Sequence, residues 1–224
     1  MCGRYTFIPG EGWVNKYKLK GEQQLKDYAT PNYNVAPMQT MPIVTAEGLK
    51  LMKWGLVPSW SKEFKPMFTS INARAESVAE KPLYRTPFKK RRCLVPASGF
   101  YEWQKRADSK QPFYFHLTNR EMFNFAGLYD IWYDADKQPF YSYTIITTEP
   151  NGTMADVHDR MPVILDPDEE KHWLDENEAP EQLQLLLDPY VDNVMEKYEV
   201  SSEVGNVRNN FLNLLNKNGS SSSD

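Results

Sequence analysis

The chain is predicted to be an α+β protein, β-dominated, with mainly antiparallel strands and short peripheral helices in a single domain. Three observations point there. Short runs rich in Tyr, Phe, Val, Ile and Thr recur between turn signals. Helical periodicity is confined to a few brief stretches. The strands follow one another without the regular helical crossovers that a parallel, doubly wound sheet needs. With 224 residues, 41% of them hydrophobic, the chain has enough material for one well-cored domain.

Taken in order, CGRYTFI, MPIVTA and LKLMKWGLV read as strands, and RRCLVPASGFYEW reads as a further continuous strand. QPFYFHLT, MFNFAGLYDIWYD and FYSYTIITTEP complete the β pattern. Short helices are expected from Glu22 to Tyr28 and from Arg74 to Glu80, and clearer ones in DEEKHWLDE and PEQLQLLL. No internal repeat is present. The domain is expected to span residues 1–210. Residues 211–224 form a tail, partly disordered, that ends in the low-complexity NKNGSSSSD.

No run reaches about 18 consecutive apolar residues and no secretory signal opens the chain, so neither a membrane span nor export is expected. Two cysteines, Cys2 and Cys93, then suggest free thiols in a reducing, cytoplasmic setting. The net charge of −4 conceals an asymmetry. Residues 1–116 carry 19 Lys and Arg against 9 Asp and Glu, whereas residues 117–224 carry 7 against 21. A cationic half can form a basic groove for nucleic acid despite the acidic total. The alternative is that folding intermixes these charges over the surface.

Cys2 is the first chemical candidate. Small residues at position two permit removal of Met1, after which one residue carries a free α-amine and a free thiol. With reference pKa values near 7.7–8.0 and 8.5, roughly a tenth of the amine and a few per cent of the thiol are deprotonated at pH 7. A terminal aminothiol condenses with an aldehyde to a thiazolidine, or the thiol attacks an amide with the amine as base. A buried small residue on the first strand is the bland alternative.

Glu102 lies in SGFYEWQK, where period-two alternation groups Phe100, Glu102 and Gln104 on one face. A carboxylate among aromatics suits general acid work, while a solvated edge position beside Lys105 and Arg106 would be structural. His158 sits among Asp156, Asp159 and Arg160, which can orient an imidazole; a capping role is the alternative. His116 and His172 read as structural, and no Cys or His spacing supports a metal site. In SINARAES, Asn72 and Arg74 project to one side if the stretch is extended, offering an amide and a guanidinium to one ligand; a surface ion pair is the alternative for Arg74. KWGLVPSWSKEFKPMF interleaves Trp54, Trp60, Phe64 and Phe68 with Lys53, Lys62 and Lys65, as stacked bases and phosphates require, and FKKRRC adds four consecutive cations. Each stretch alone is a weak signal, because tryptophans are more often core and a charge run is usually a solvated turn.

Together MCGRY, YNVAP, WGLVPSW, INARAES, CLVPASGFYEW, HDRMPVIL and VGNVRNN resemble the SOS response-associated peptidase family in order and spacing, from Cys2 to about Asn210. The resemblance implies that family's β-rich fold, no cofactor, and single-stranded DNA containing abasic sites as the partner, bound by a monomer that associates with the nucleoid when DNA is damaged. It implies a thiazolidine crosslink through a mature N-terminal Cys2, with loss of the preceding residue giving the family its name. By motif match Asn72 contacts the abasic sugar, Glu102 assists imine formation and reversal, and His158 assists sugar ring opening. Arg4 and Arg74 hold flanking phosphates, Arg160 is a further DNA partner, and Trp60 stacks at the strand's edge. Met161 stands where a second arginine is common, so no DNA role falls to it. Two rivals remain: an N-terminal-nucleophile glutamine amidotransferase, which also begins Met-Cys-Gly but needs none of WGLVPSW, GFYEW or HDRMP, and a non-covalent single-strand binding module.

Overall fold

The computed structural model describes residues 2–63 and 70–218. A five-stranded antiparallel sheet runs in the order β13 (Met195–Glu199), β8 (Lys110–Leu117), β7 (Gly99–Lys105), β1 (Arg4–Phe7) and β2 (Asn32–Val35). The second sheet contains β3 (Thr40–Thr45), β4 (Gly48–Trp54), β6 (Arg92–Ala97), β9 (Phe123–Tyr133) and β10 (Pro139–Thr148). It closes on itself like a barrel, because β10 pairs with β9 on one side and with β4 on the other. Closure removes exposed edges. Where β4 leaves β10, β5 (Asn72–Arg74) takes its place in parallel register, with Asn72 opposite Ile145 and Arg74 opposite Thr147. Two-residue strands β11 (Met161–Pro162) and β12 (Ile164–Leu165) extend this sheet.

The sheets share one core. Tyr5 meets Trp54 edge-on at 5.2 Å and Phe125 at 5.9 Å, Phe100 stacks on Phe115 at 5.0 Å, and the buried hydroxyls of Tyr5 and Tyr143 are 2.7 Å apart. Helices α1 (Glu11–Lys16), α2 (Glu22–Ala29), α3 (Arg85–Lys90), α4 (Pro167–Leu174) and α5 (Pro180–Leu185) lie around the sheets. Asp166 and Glu169 form a capping box at the start of α4. Among the described residues, no helix is long and apolar enough to cross a membrane.

The structure amends several expected elements. RRCLVPASGFYEW is two strands, β6 in one sheet and β7 in the other, with the switch at Ser98–Gly99. A Cβ at Gly99 would sit 2.3 Å from the Tyr114 ring and 2.6 Å from Phe115 O, so only glycine fits the crossing. The helix expected from Arg74 to Glu80 is a single 3-10 turn at Ala75–Ser77, because β5 holds the chain extended through Arg74. Trp54 is fully buried, its indole donating to Ile71 O at 2.9 Å, so it belongs to the core and cannot stack on a base. Of the tail, Leu214 is buried and Asn218 N donates to Glu199 O at 2.8 Å; residues 219–224 lie outside the described residues, as do Met1, Phe64, Lys65 and Phe68.

Candidate active site

Three elements bring Cys2, Asn72 and Glu102 together. Cys2 precedes β1 and is fully buried, with Sγ 3.8 Å from Arg4 O. Asn72, on β5, donates from Nδ2 to Cys2 O at 2.9 Å. Its own carbonyl accepts the Tyr84 hydroxyl at 3.0 Å, which ties the turn before α3 to the site. Asn72 Oδ1 is buried and has no hydrogen-bond partner among the described residues, a state native interiors rarely leave without a use. Burial raises the thiol pKa of Cys2 far above its ordinary value, and the nearby Glu102 carboxylate adds to the shift. The thiolate fraction expected of a free aminothiol is therefore not what this pocket holds.

Glu102 is 3% exposed on β7, opposite Phe113, and Oε2 accepts the Trp103 N–H at 3.4 Å. It is not a solvated edge residue; its neighbour Arg106 instead pairs with Glu199 at 2.6 Å. Gln104, on the same face, donates to Asp156 O at 3.0 Å and draws the 156–160 turn over that face. His158 arrives there. With Glu102, Trp103, Lys110 and Gly205 it lines an open cavity of about 400 Å³. His158 Nδ1 lies 3.0 Å from the Arg160 N–H and 2.9 Å from Asp159 Oδ1. The first contact needs an unprotonated Nδ1 and the second a protonated one. Asp159 is almost wholly exposed and its pull is screened, so the backbone N–H of Arg160 is the better partner for Nδ1.

The candidate DNA contacts differ in how free they are. Arg4 Nη1 donates to Asn34 Oδ1 at 2.8 Å and Val204 O at 2.6 Å, and Nη2 donates to Gly205 O at 2.9 Å. Arg160 is paired through both Nη atoms with Glu76 and also donates to Thr147 O. Both arginines thus have protein partners here. Arg74 is exposed and makes no ion pair among the described residues. Trp60 is 67% exposed and rims an apolar cavity of about 370 Å³ with Leu56, Pro58 and Lys81. In FKKRRC, Arg92 is buried and donates to the carbonyls of Phe88, Lys89, Trp173 and Asp175, while Arg91 pairs with buried Asp130.

His116 stacks on Tyr114 at 5.9 Å and His172 Nδ1 is 2.7 Å from Glu178, both structural settings. A wider groove of about 850 Å³ over His116 and Tyr198 gathers none of the candidate residues. Two residues that matter to the site carry no assignment from sequence. Asn34, in YNVAP, takes Arg4 on Oδ1 and donates to Val204, Asn206 and Asn209 carbonyls, fixing the loop that brings Gly205 to the cavity. Asp130 is a charge inside the apolar run LYDIWY, and that misfit was the available signal.

The SOS response-associated peptidase profile matches residues 1–207. The chain is 45% identical over 228 residues to the abasic site processing protein YoaM of Bacillus subtilis, covering 96% of this chain and 97% of that one. It is 33% identical over 267 residues to the abasic site processing protein HMCES of Rattus norvegicus, covering 96% and 75%. A crystal structure of a Bacteroides thetaiotaomicron protein superposes with a TM-score of 0.83 at 27% identity, covering 90% of this chain and 93% of that one. Motifs, fold and relatives agree over nearly the full length, and the chain belongs to the SOS response-associated peptidase family.

Proposed function

We propose that this chain captures abasic sites in single-stranded DNA by closing a thiazolidine between its processed N-terminal cysteine and the sugar aldehyde. The observation that carries the reading is the convergence of Cys2 with Asn72 and Glu102, the residues needed to hold and protonate such an adduct. The names of its relatives as abasic site processing proteins support the same substrate.

Hydrolysis of the Met1–Cys2 peptide bond, the peptidase step, releases methionine and frees the amine. The amine adds to the aldehyde carbon of the opened sugar, and loss of one water gives an imine. Sγ then adds to the imine carbon and the thiol proton ends on nitrogen, so a C–N and a C–S bond form with no change of oxidation state. The raised thiol pKa means this proton must be taken as the bond forms, and the Glu102 carboxylate is the base at hand; in reversal the carboxylic acid returns it. Asn72 fixes the Cys2 carbonyl through Nδ2 and offers Oδ1 to a sugar hydroxyl. His158 assists the opening of the furanose by donating a hydrogen bond from Nε2 to the ring oxygen, with water supplying the proton that the oxygen takes. Arg74 takes a flanking phosphate and Trp60 an adjacent base, with Arg4 and Arg160 available once their protein partners exchange for phosphate. An intact nucleotide offers no aldehyde, so the chemistry itself selects the lesion. The chain acts as a cytoplasmic monomer, nucleoid-associated when DNA is damaged.

Intact mass spectrometry before and after exposure to an abasic single-stranded oligonucleotide tests the reading. The expected result is protein lacking Met1, then a denaturation-resistant adduct at the summed masses less one water. Cys2→Ala should form none. An undiminished adduct in that variant, or an active wild type still bearing Met1, overturns the proposal.

A further inference from the structure

The seven residues after β4 are anchored along nearly their whole backbone. Gly55 N donates to Tyr143 O at 2.9 Å, Leu56 N to Ser70 O at 3.2 Å, and Val57 N to the Ser142 hydroxyl at 2.8 Å. The Ser70 hydroxyl returns a bond to Leu56 O at 2.7 Å. The last anchors come from β9. Asp130 Oδ2 accepts the Ser59 N–H at 2.8 Å, and the Trp132 indole donates to Ser61 O at 2.9 Å. Ser61 N closes the turn on Pro58 O at 3.0 Å. Asp130 and Trp132 are two apart on a strand and so face the loop from the same side.

These two contacts bracket Trp60, one residue before it and one after. Asp130 is 2% exposed, and its other oxygen accepts the Ile131 N–H at 2.9 Å and pairs with Arg91. A buried carboxylate with such partners is a fixed post. A loop held this firmly would ordinarily turn its large aromatic inward, yet the Trp60 side chain stands in solvent. Neither Asp130 nor Trp132 enters the capture chemistry above.

We infer that Asp130 and Trp132 are positioning residues that hold Trp60 as a preformed platform for one base of a single strand; this rests on the DNA reading of the preceding section. A base stacking on a ring carried by an already fixed backbone has less to order, and that saving appears as affinity.

The test is a double-mutant cycle read on an undamaged single-stranded oligonucleotide, which carries no aldehyde and reports non-covalent affinity alone. Trp60→Ala should weaken binding about tenfold. Trp132→Phe keeps an aromatic ring at a half-buried site and deletes the indole N–H along with one fused ring; it should weaken binding about fivefold. In the Trp60→Ala background Trp132→Phe should have no further effect, because the residue it positions is gone. Losses that multiply in the double variant, or unaltered binding by either single variant, overturn the inference. A wild-type chain that binds no single strand sinks the preceding reading instead, and the adduct assay there identifies that failure separately.

Discussion

At the scale of single residues, the decisive contrast is between a free aminothiol and Cys2 as the fold holds it. In solution a few per cent of such thiols are ionised at neutral pH. Burial and then the Glu102 charge push Cys2 in the other direction, toward the protonated form. Because burial holds the thiol protonated, the α-amine is the group expected to set the pH dependence of crosslinking: the rate should rise as the amine deprotonates near pH 7.7–8.0 and then level off, without the further climb above about pH 8.5 that a titrating free thiol would give. Proton removal then depends on a positioned base. Glu102→Gln keeps the shape and one acceptor oxygen but cannot take the proton, so it should slow both adduct formation and reversal about a hundredfold. Quench-flow or gel time courses in each direction measure this. Unchanged rates both ways would take Glu102 out of the mechanism.

At the scale of elements, Arg92 joins pieces of the fold rather than serving a basic surface. Its guanidinium donates to carbonyls at the end of α3 and to Trp173 and Asp175 at the end of α4, securing two helices to the start of β6. Arg92→Ala would strand several carbonyls that the side chain now satisfies and should cost about 3 kcal/mol. The measurement is the urea midpoint, and Arg92→Lys should rescue little of it, since one ammonium cannot span both helix ends. A loss under about 1 kcal/mol would mean that water replaces those bonds. The same residue shows what sequence conveys at this scale. FKKRRC reads as a charge run because nothing local distinguishes a cation bound to carbonyls about 80 positions away from a solvated one. Strands built from a dense run of aromatic residues, such as QPFYFHLT, are legible because the signal is local, whereas MEKYE becomes β13 only through its pairing with β8. The switch between β6 and β7 was hidden because it depends on the Tyr114 ring crowding Gly99, a contact across strands. Cys2, Asn72, Glu102 and His158 stood out by motif, but that Arg4 would be held by carbonyls 200 positions away did not.

At the scale of the whole molecule, the charge asymmetry along the sequence overstates the cationic surface. Of the six arginines in residues 1–116, Arg4, Arg91, Arg92 and Arg106 bond protein groups, and only Arg74 and Arg85 are exposed without an ion pair among the described residues. Exposed Lys81, Lys89 and Lys90 neighbour Arg85, with Lys81 at the rim of the Trp60 cavity. Simultaneous contact by the side chains nearest Trp60 and Asn72 gives about three phosphates neutralised. For a single strand that corresponds to a plot of log affinity against log salt with a slope of about −2. Cys2→Ala, which removes the covalent step, is the form in which to measure it. A flat response would mean that stacking alone holds the strand and no phosphate is neutralised. A slope of about −3.5, five phosphates rather than three, would require Arg4 and Arg160 to release Val204, Gly205, Thr147 and Glu76 on binding, so that DNA capture would include a rearrangement of the loop lining the Glu102 cavity. The salt dependence therefore distinguishes a preformed groove from one assembled by the strand it binds.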